Sequence, residues 1–122
     1  MPIIPIVRCS QMASAVRFYT RVLDFELAEE SLEVEEPAFN VLRRGDALLY
    51  LSSHSGDGEF GQAIVLSVND VDALHREFTT RGLRPPANPD SPVHQGPIDQ
   101  SWGTREFYVD DPDGNTLRFT EQ

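Results

Sequence analysis

The chain has 122 residues, 39% apolar and 25% charged, which is the balance of one globular domain rather than of a disordered or fibrous chain. Twenty acidic residues against ten basic ones give a formal charge of −10, which argues against nucleic acid as a partner because phosphates need a basic face. No apolar run approaches the roughly 18 residues of a membrane span, and a single cysteine, Cys9, rules out an intrachain disulfide and fits a reducing cytoplasm.

In chain order, "MPIIPIVRCS" lacks a basic leader followed by a long apolar region, so no secretory signal is expected. Ile3–Val7 reads as a short strand buried on both faces. Ser10 is the expected N-cap of a helix near residues 12–23, where Met12, Ala15, Val16, Tyr19, Val22 and Leu23 recur at helical spacing. Strands are expected at Phe25–Glu29, Phe39–Leu42 and Ala47–Ser52. The last two are joined by a tight turn at "RRGD", with Gly45 where positive φ is cheap.

The order then restarts. Ala63–Val68 is a second apolar strand, and Asn69 or Asp70 caps a helix running to about Arg81, ended by Gly82 in the left-handed position. A loop rich in Pro, Asn and Asp spans Pro85–Gln100. Strands Arg105–Val109 and Thr116–Thr120 close the chain, linked by "DDPDGN", which by itself is a hairpin signal. Each half is β-α-β-β-β, and a recurrence after about 60 residues marks a duplication. The expected fold is α+β: one domain of two repeated modules, about 1–55 and 61–122.

Few residues carry chemistry on their own. His54 and His94 fall in loops and His75 on a polar helix face. None pairs at ligand spacing, so surface histidines are expected. Cys9 has no base nearby in the sequence and reads as a small buried residue. No serine elbow or phosphate-cradling glycine loop occurs, so nucleophilic and phosphoryl-transfer chemistry lack support. The run "ELAEESLEVEE", Glu26–Glu36, reads as a charged strand edge that discourages aggregation. Trp102, the only tryptophan, is either a core plug or a stacking surface for a flat ligand, with cation–π attraction if that ligand is positive. The acidic balance serves either solubility or the concentration of a cationic ligand.

Two such modules, with "MASAVRFYTRVLDF" after the first strand and "FYVDDPDGNTLRF" closing the second, resemble the glyoxalase/bleomycin resistance protein/dioxygenase (vicinal oxygen chelate) superfamily over almost the whole chain. "IPIVRCSQMASAVRFY" and "QSWGTREF" followed by "DPDGN" look most like its bleomycin-resistance branch. The resemblance implies mixed sheets curled around a cleft that a second subunit completes, with the N-terminal strand crossing to the partner at a proline matching Pro5. It also implies a tryptophan matching Trp102 at the drug cleft, and acidic residues near Glu29 and Glu30 that attract a cationic drug. An insertion in this region blurs that last match. Enzymes of the superfamily hold a divalent metal with His, Gln or Glu on the first and last strands of each module. Here those positions are Ile4, Ala63, Arg118 and about Tyr50, so no metal, no cofactor and no catalytic residue is expected.

Strand alternation then assigns faces. If Ile4 faces the cleft, so do Ile6, Ala63, Val65 and Ser67, and Thr116 and Thr120. The expected ligand contacts are Phe39, Val41, Leu48, Tyr50, Ser52, Trp102, Glu106, Tyr108 and Arg118, an aromatic and aliphatic wall with Glu106 and Arg118 as isolated charges. Phe107 and Val109 pack under the helices. The expectation is a non-catalytic cytoplasmic protein that sequesters a planar or cationic antibiotic-like ligand in clefts at a homodimer interface, with neither nucleic acid nor membrane as partner. The alternatives are a metal-dependent lyase or dioxygenase of the same superfamily, and a binder of an endogenous metabolite.

Overall fold

The computed structural model describes residues 1–28, 32–84 and 96–122. In chain order these form β1 (Ile6–Arg8), α1 (Met12–Arg17) running into a wider π-helical turn (Phe18–Val22), β2 (Glu26–Leu27), β3 (Phe39–Arg44), β4 (Ala47–Ser52), β5 (Ala63–Ser67), α2 (Val71–Thr80), β6 (Ile98–Asp99), β7 (Arg105–Asp110) and β8 (Thr116–Glu121). They make two four-stranded sheets, ordered β1-β4-β3-β2 and β5-β8-β7-β6. In each sheet the first strand runs parallel to the last and the other pairs are antiparallel. The repeated α+β module is therefore the architecture.

Local departures have local causes. The first strand is three residues long, not Ile3–Val7. Pro5 has no N–H to donate; only its carbonyl joins the sheet, accepting from Tyr50 N at 3.0 Å, and Ile3 is exposed. Ser10 is not the cap of α1. Its hydroxyl and its backbone N–H both donate to Asp113 Oδ1, at 2.6 and 3.1 Å. The Met12 N–H donates instead to Glu36 Oε1 at 2.6 Å, a residue 24 positions away. On α2, Asp70 does cap, accepting from Ala73 N at 3.0 Å. Gly82, at φ 110°, ends that helix with Gly82 N donating to Thr79 O and Leu83 N to Phe78 O. The second expected strand, Phe25–Glu29, shrinks to Glu26–Leu27, an edge strand. Glu29, Glu30, His94 and most of the expected Pro85–Gln100 loop lie outside the described residues.

Alternation places Leu42, Leu49 and Leu51 of one sheet and Phe107, Val109, Leu117 and Phe119 of the other on the helix side. There they join Met12, Val16 and Tyr19 of the first helical segment and Val71, Leu74 and Phe78 of α2 in one continuous core. Phe107 stacks on Phe119 with centroids 5.0 Å apart, and Phe78 meets Phe119 edge-on at 5.2 Å. Because both sheets give their inner faces to this shared core, their other faces point away from it.

The "DDPDGN" turn does more than close a hairpin. Asp111 Oδ1 accepts from the N–H groups of Asp113 and Asn115, both at 2.9 Å. Its Oδ2 accepts from the buried Tyr19 hydroxyl at 2.8 Å and from Asn115 Nδ2 at 2.9 Å. Asn115, fully buried, accepts at Oδ1 from Gly61 N and Gln62 N at 3.0 and 3.1 Å and donates from Nδ2 to Arg8 O at 2.9 Å. The turn thus ties the second module to the first helix, the first strand and the linker between modules.

Candidate functional site

The site begins with the alternation of "REFYVD". With Phe107 and Val109 in the core, Glu106 and Tyr108 must face the other way, and the register sets Arg118 of β8 opposite Tyr108. Glu106 is nevertheless only 1% exposed, because its neighbours close over it. Its Oε1 accepts from Arg118 Nε at 3.0 Å and Nη2 at 2.7 Å. Its Oε2 accepts from Thr104 Oγ at 2.6 Å and Trp102 Nε1 at 3.0 Å. Burial pushes the carboxyl up, but the hydrogen bonds from Thr104 and Arg118, the Arg118 charge and the indole N–H outweigh it, so its pKa lies below the ordinary value. Arg118 is held above its ordinary range mainly by the same carboxylate, and its guanidinium lies 5.0 Å over the Tyr108 ring. Glu106 and Arg118 are therefore a hydrogen-bonded pair, not the isolated charges expected from sequence.

Trp102 sits on a tight loop closed by Gln100 N to Thr104 O (2.7 Å) and Gly103 N to Gln100 O (3.1 Å), with Gly103 at φ 101°. The indole is 60% exposed. It is not a core plug; the ring stands in the open, pinned by its N–H to Glu106. Thr104 is the partner that sequence reasoning missed, although its i,i+2 spacing from Glu106 put the two on one face.

On the first sheet Phe39 and Tyr50 meet edge-to-face with centroids 5.1 Å apart, and Val41 is the register partner of Tyr50. Ser52 does not belong to this wall. It is wholly buried, its hydroxyl donating to Asp57 Oδ2 at 2.7 Å under the loop that follows β4. Leu48 lines a groove of about 550 Å³ between the N-terminal arm, the β3–β4 turn and β5, and none of the other expected contacts does. The structure thus brings the expected residues together as two groups, Phe39, Val41 and Tyr50 on one sheet and Trp102, Glu106, Tyr108 and Arg118 on the other, each on a face turned away from the common core.

A divalent ion does not fit the positions where the superfamily places one. Ile4 and Ala63 offer no donor atom, Arg118 is a cation bound to Glu106, and the Tyr50 ring packs on Phe39. Among the described residues one acidic trio converges, Asp70, Asp72 and Glu121, but each is already engaged. Asp70 caps α2, Asp72 takes two Arg105 hydrogen bonds at 2.9 Å, and Glu121 accepts from Val71 N at 3.4 Å. Cys9 is 1% exposed, and burial, reinforced by the Asp113, Glu36 and Asp111 carboxylates, pushes its thiol up to about 12. His75 is not a surface residue as expected. It is partly buried with its ring edge-on to Phe107 at 5.1 Å, and burial lowers its pKa against the opposing pull of Asp72.

Solved structures match along the full chain. A bleomycin-binding protein from bleomycin-producing Streptomyces verticillus, complexed with copper(II)-bleomycin, is 26% identical, with a TM-score of 0.73 over 100% of this chain and 96% of that one. A bleomycin-binding protein complexed with bleomycin is 24% identical, with a TM-score of 0.76 over 100% and 98%. A bleomycin resistance determinant encoded on the transposon Tn5 is 22% identical, with a TM-score of 0.77 over 100% and 98%. No curated protein sequence matches the chain. Residues 4–119 match the family model of the superfamily that the paired modules, the closing turn and the sheet order point to, and the chain belongs to the Glyoxalase/Bleomycin resistance protein/Dioxygenase superfamily.

Proposed function

We propose that this chain is a non-catalytic binding protein for a planar small molecule, held in clefts that a second copy of the chain completes. The observation that carries the reading is Trp102: a large aromatic ring, 60% exposed, held at a fixed orientation by its hydrogen bond to a buried carboxylate. An exposed indole ordinarily costs free energy unless something covers it, and a rigid aromatic platform loses little entropy when a flat ligand stacks on it. The metal-ligand positions, occupied by Ile4, Ala63 and Arg118, support binding without turnover.

The second copy is supported by the separation of the two aromatic groups. Each lies on an open sheet face, and a half-cup from one chain facing the complementary half-cup of another would enclose a ligand between them. Val65, at 60% exposure on β5, and Ile3, at 93% on the N-terminal arm, supply apolar surface for such a contact. The arm before Pro5 is the segment that would exchange. Since two of the similar structures hold bleomycin, bleomycin is the first compound to try.

The test is titration of Trp102 fluorescence with bleomycin and a panel of flat aromatic compounds, alongside light scattering. Saturable quenching by at least one compound and a dimer mass are expected. A monomer at micromolar concentration refutes the shared cleft, and the absence of any saturable quenching refutes the binding face.

A further inference from the structure

Resting on that binding-face reading, we infer that the ligand presents a hydrogen-bond acceptor, a carbonyl or carboxylate oxygen, at the edge of its aromatic system, and that Arg118 is the residue that selects for it. The acidic chain and the inward glutamate would suggest a cation instead. The geometry at Glu106 points the other way. Both of its oxygens already take two donors each, from Arg118 on one side and from Thr104 and Trp102 on the other, and the residue is 1% exposed. No side of that carboxylate is left for a ligand ammonium.

Arg118 is the opposite case. Its Nε and Nη2 donate to one oxygen, Glu106 Oε1. Among the described residues Nη1 has no acceptor, and the side chain is 31% exposed. The guanidinium carbon lies over the Tyr108 ring, 5.0 Å from its centroid, which adds to the hold of Glu106 on the group. A planar donor edge held this way suits a carbonyl or carboxylate oxygen. The indole and the guanidinium donate to different oxygens of the same carboxylate, which sets them side by side within the span of one fused-ring ligand.

Glu106 neutralises Arg118, so the site discriminates by hydrogen bonding rather than by net charge. A neutral ketone satisfies it, and a cation placed there meets N–H donors with nothing to accept. A site built to donate disfavours a shape-matched molecule that lacks the acceptor, because the donor edge it covers is then left without water and unpaired.

The experiment titrates the full chain in 0.15 M salt with 2-acetonaphthone, 2-ethylnaphthalene and 2-naphthylmethylammonium. Affinities come from calorimetry, and Trp102 emission reports where each probe binds. The ketone is expected to bind roughly tenfold or more tightly than 2-ethylnaphthalene, the gain of one charge-assisted hydrogen bond, and the ammonium no more tightly than 2-ethylnaphthalene. Arg118→Lys keeps the charge beside Glu106 but loses the planar donor edge. It should erase the ketone's advantage over 2-ethylnaphthalene, whatever it does to the affinity common to both. The wild-type comparison of the three probes stands even if that variant misfolds. Should the ammonium bind as tightly as the ketone, with saturable Trp102 quenching, the acceptor inference falls and the binding face survives. If none of the three probes perturbs Trp102 saturably, the acceptor inference falls, and the binding face falls with it only when bleomycin and the aromatic panel fail as well.

Discussion

Replacing Asn115 by alanine removes four side-chain hydrogen bonds at once: from Gly61 N and Gln62 N into Oδ1, and from Nδ2 to Arg8 O and Asp111 Oδ2. At about 1 kcal/mol each these sum to roughly 4 kcal/mol. The linker amides of Gly61 and Gln62 sit near the surface and can recover water, which brings the expected loss to about 3 kcal/mol. In urea, with a slope of about 1.5 kcal/mol/M for a chain this size, the midpoint should fall by roughly 2 M. Asn115→Asp sharpens the test. It would set a second carboxylate where Asn115 Nδ2 now lies 2.9 Å from Asp111 Oδ2, so it should cost at least as much as alanine at neutral pH despite its nearly identical shape. Equilibrium unfolding followed by circular dichroism measures both. A loss below about 1 kcal/mol for alanine, or an aspartate variant as stable as wild type, would show that the turn does not lock the modules together.

Glu106→Gln leaves Arg118 without its counter-charge and points an amide at existing donors. A fully buried pair broken this way costs about 3–5 kcal/mol, and the exposed part of Arg118 can rehydrate, so a loss of about 2–3 kcal/mol by urea unfolding is expected. The folded Glu106 carboxyl lies below its ordinary 4.5, so its contribution is complete above that pH and is lost as pH falls through the folded value; the variant should lose stability less steeply than wild type below about pH 4.5. Trp102→Ala, at an exposed position, should cost only about 1 kcal/mol of stability but about 1–3 kcal/mol of affinity for any compound that quenches its fluorescence, and a variant that melts far below wild type yet binds normally contradicts the stacking role. Cys9 should resist a thiol reagent at pH 8 in the native protein and react on unfolding, since its thiol is buried and pushed up to about 12; native labelling within minutes would refute this. Purified protein should not turn over methylglyoxal–glutathione, or a catechol with Fe²⁺; turnover that disappears on chelation would overturn the non-catalytic reading.

Much of this was legible in the chain. The period of two in "ALLYLS", "EFYVD" and "TLRFT" decides which side chains enter the core and which face outward, because the pleat alternates regardless of what surrounds it. Asp70 and Gly82 mark the ends of α2 for equally local reasons, a short acceptor before the first turn and a residue without a Cβ after the last. The duplication is visible as a repeated order of elements. Partners were not legible. Glu36 rather than Ser10 caps α1, Asp57 closes over Ser52, Thr104 and Trp102 complete Glu106, and Asn115 reaches from the last hairpin to Arg8 and the linker. Each of these bonds joins a polar group to whichever donor or acceptor the loops bring within about 3 Å, and that meeting is settled only when the sheets and helices have closed around one core. Which face a residue takes is a property of its strand; whether a charge on that face stands free or paired depends on the loops and neighbouring strands packed against it.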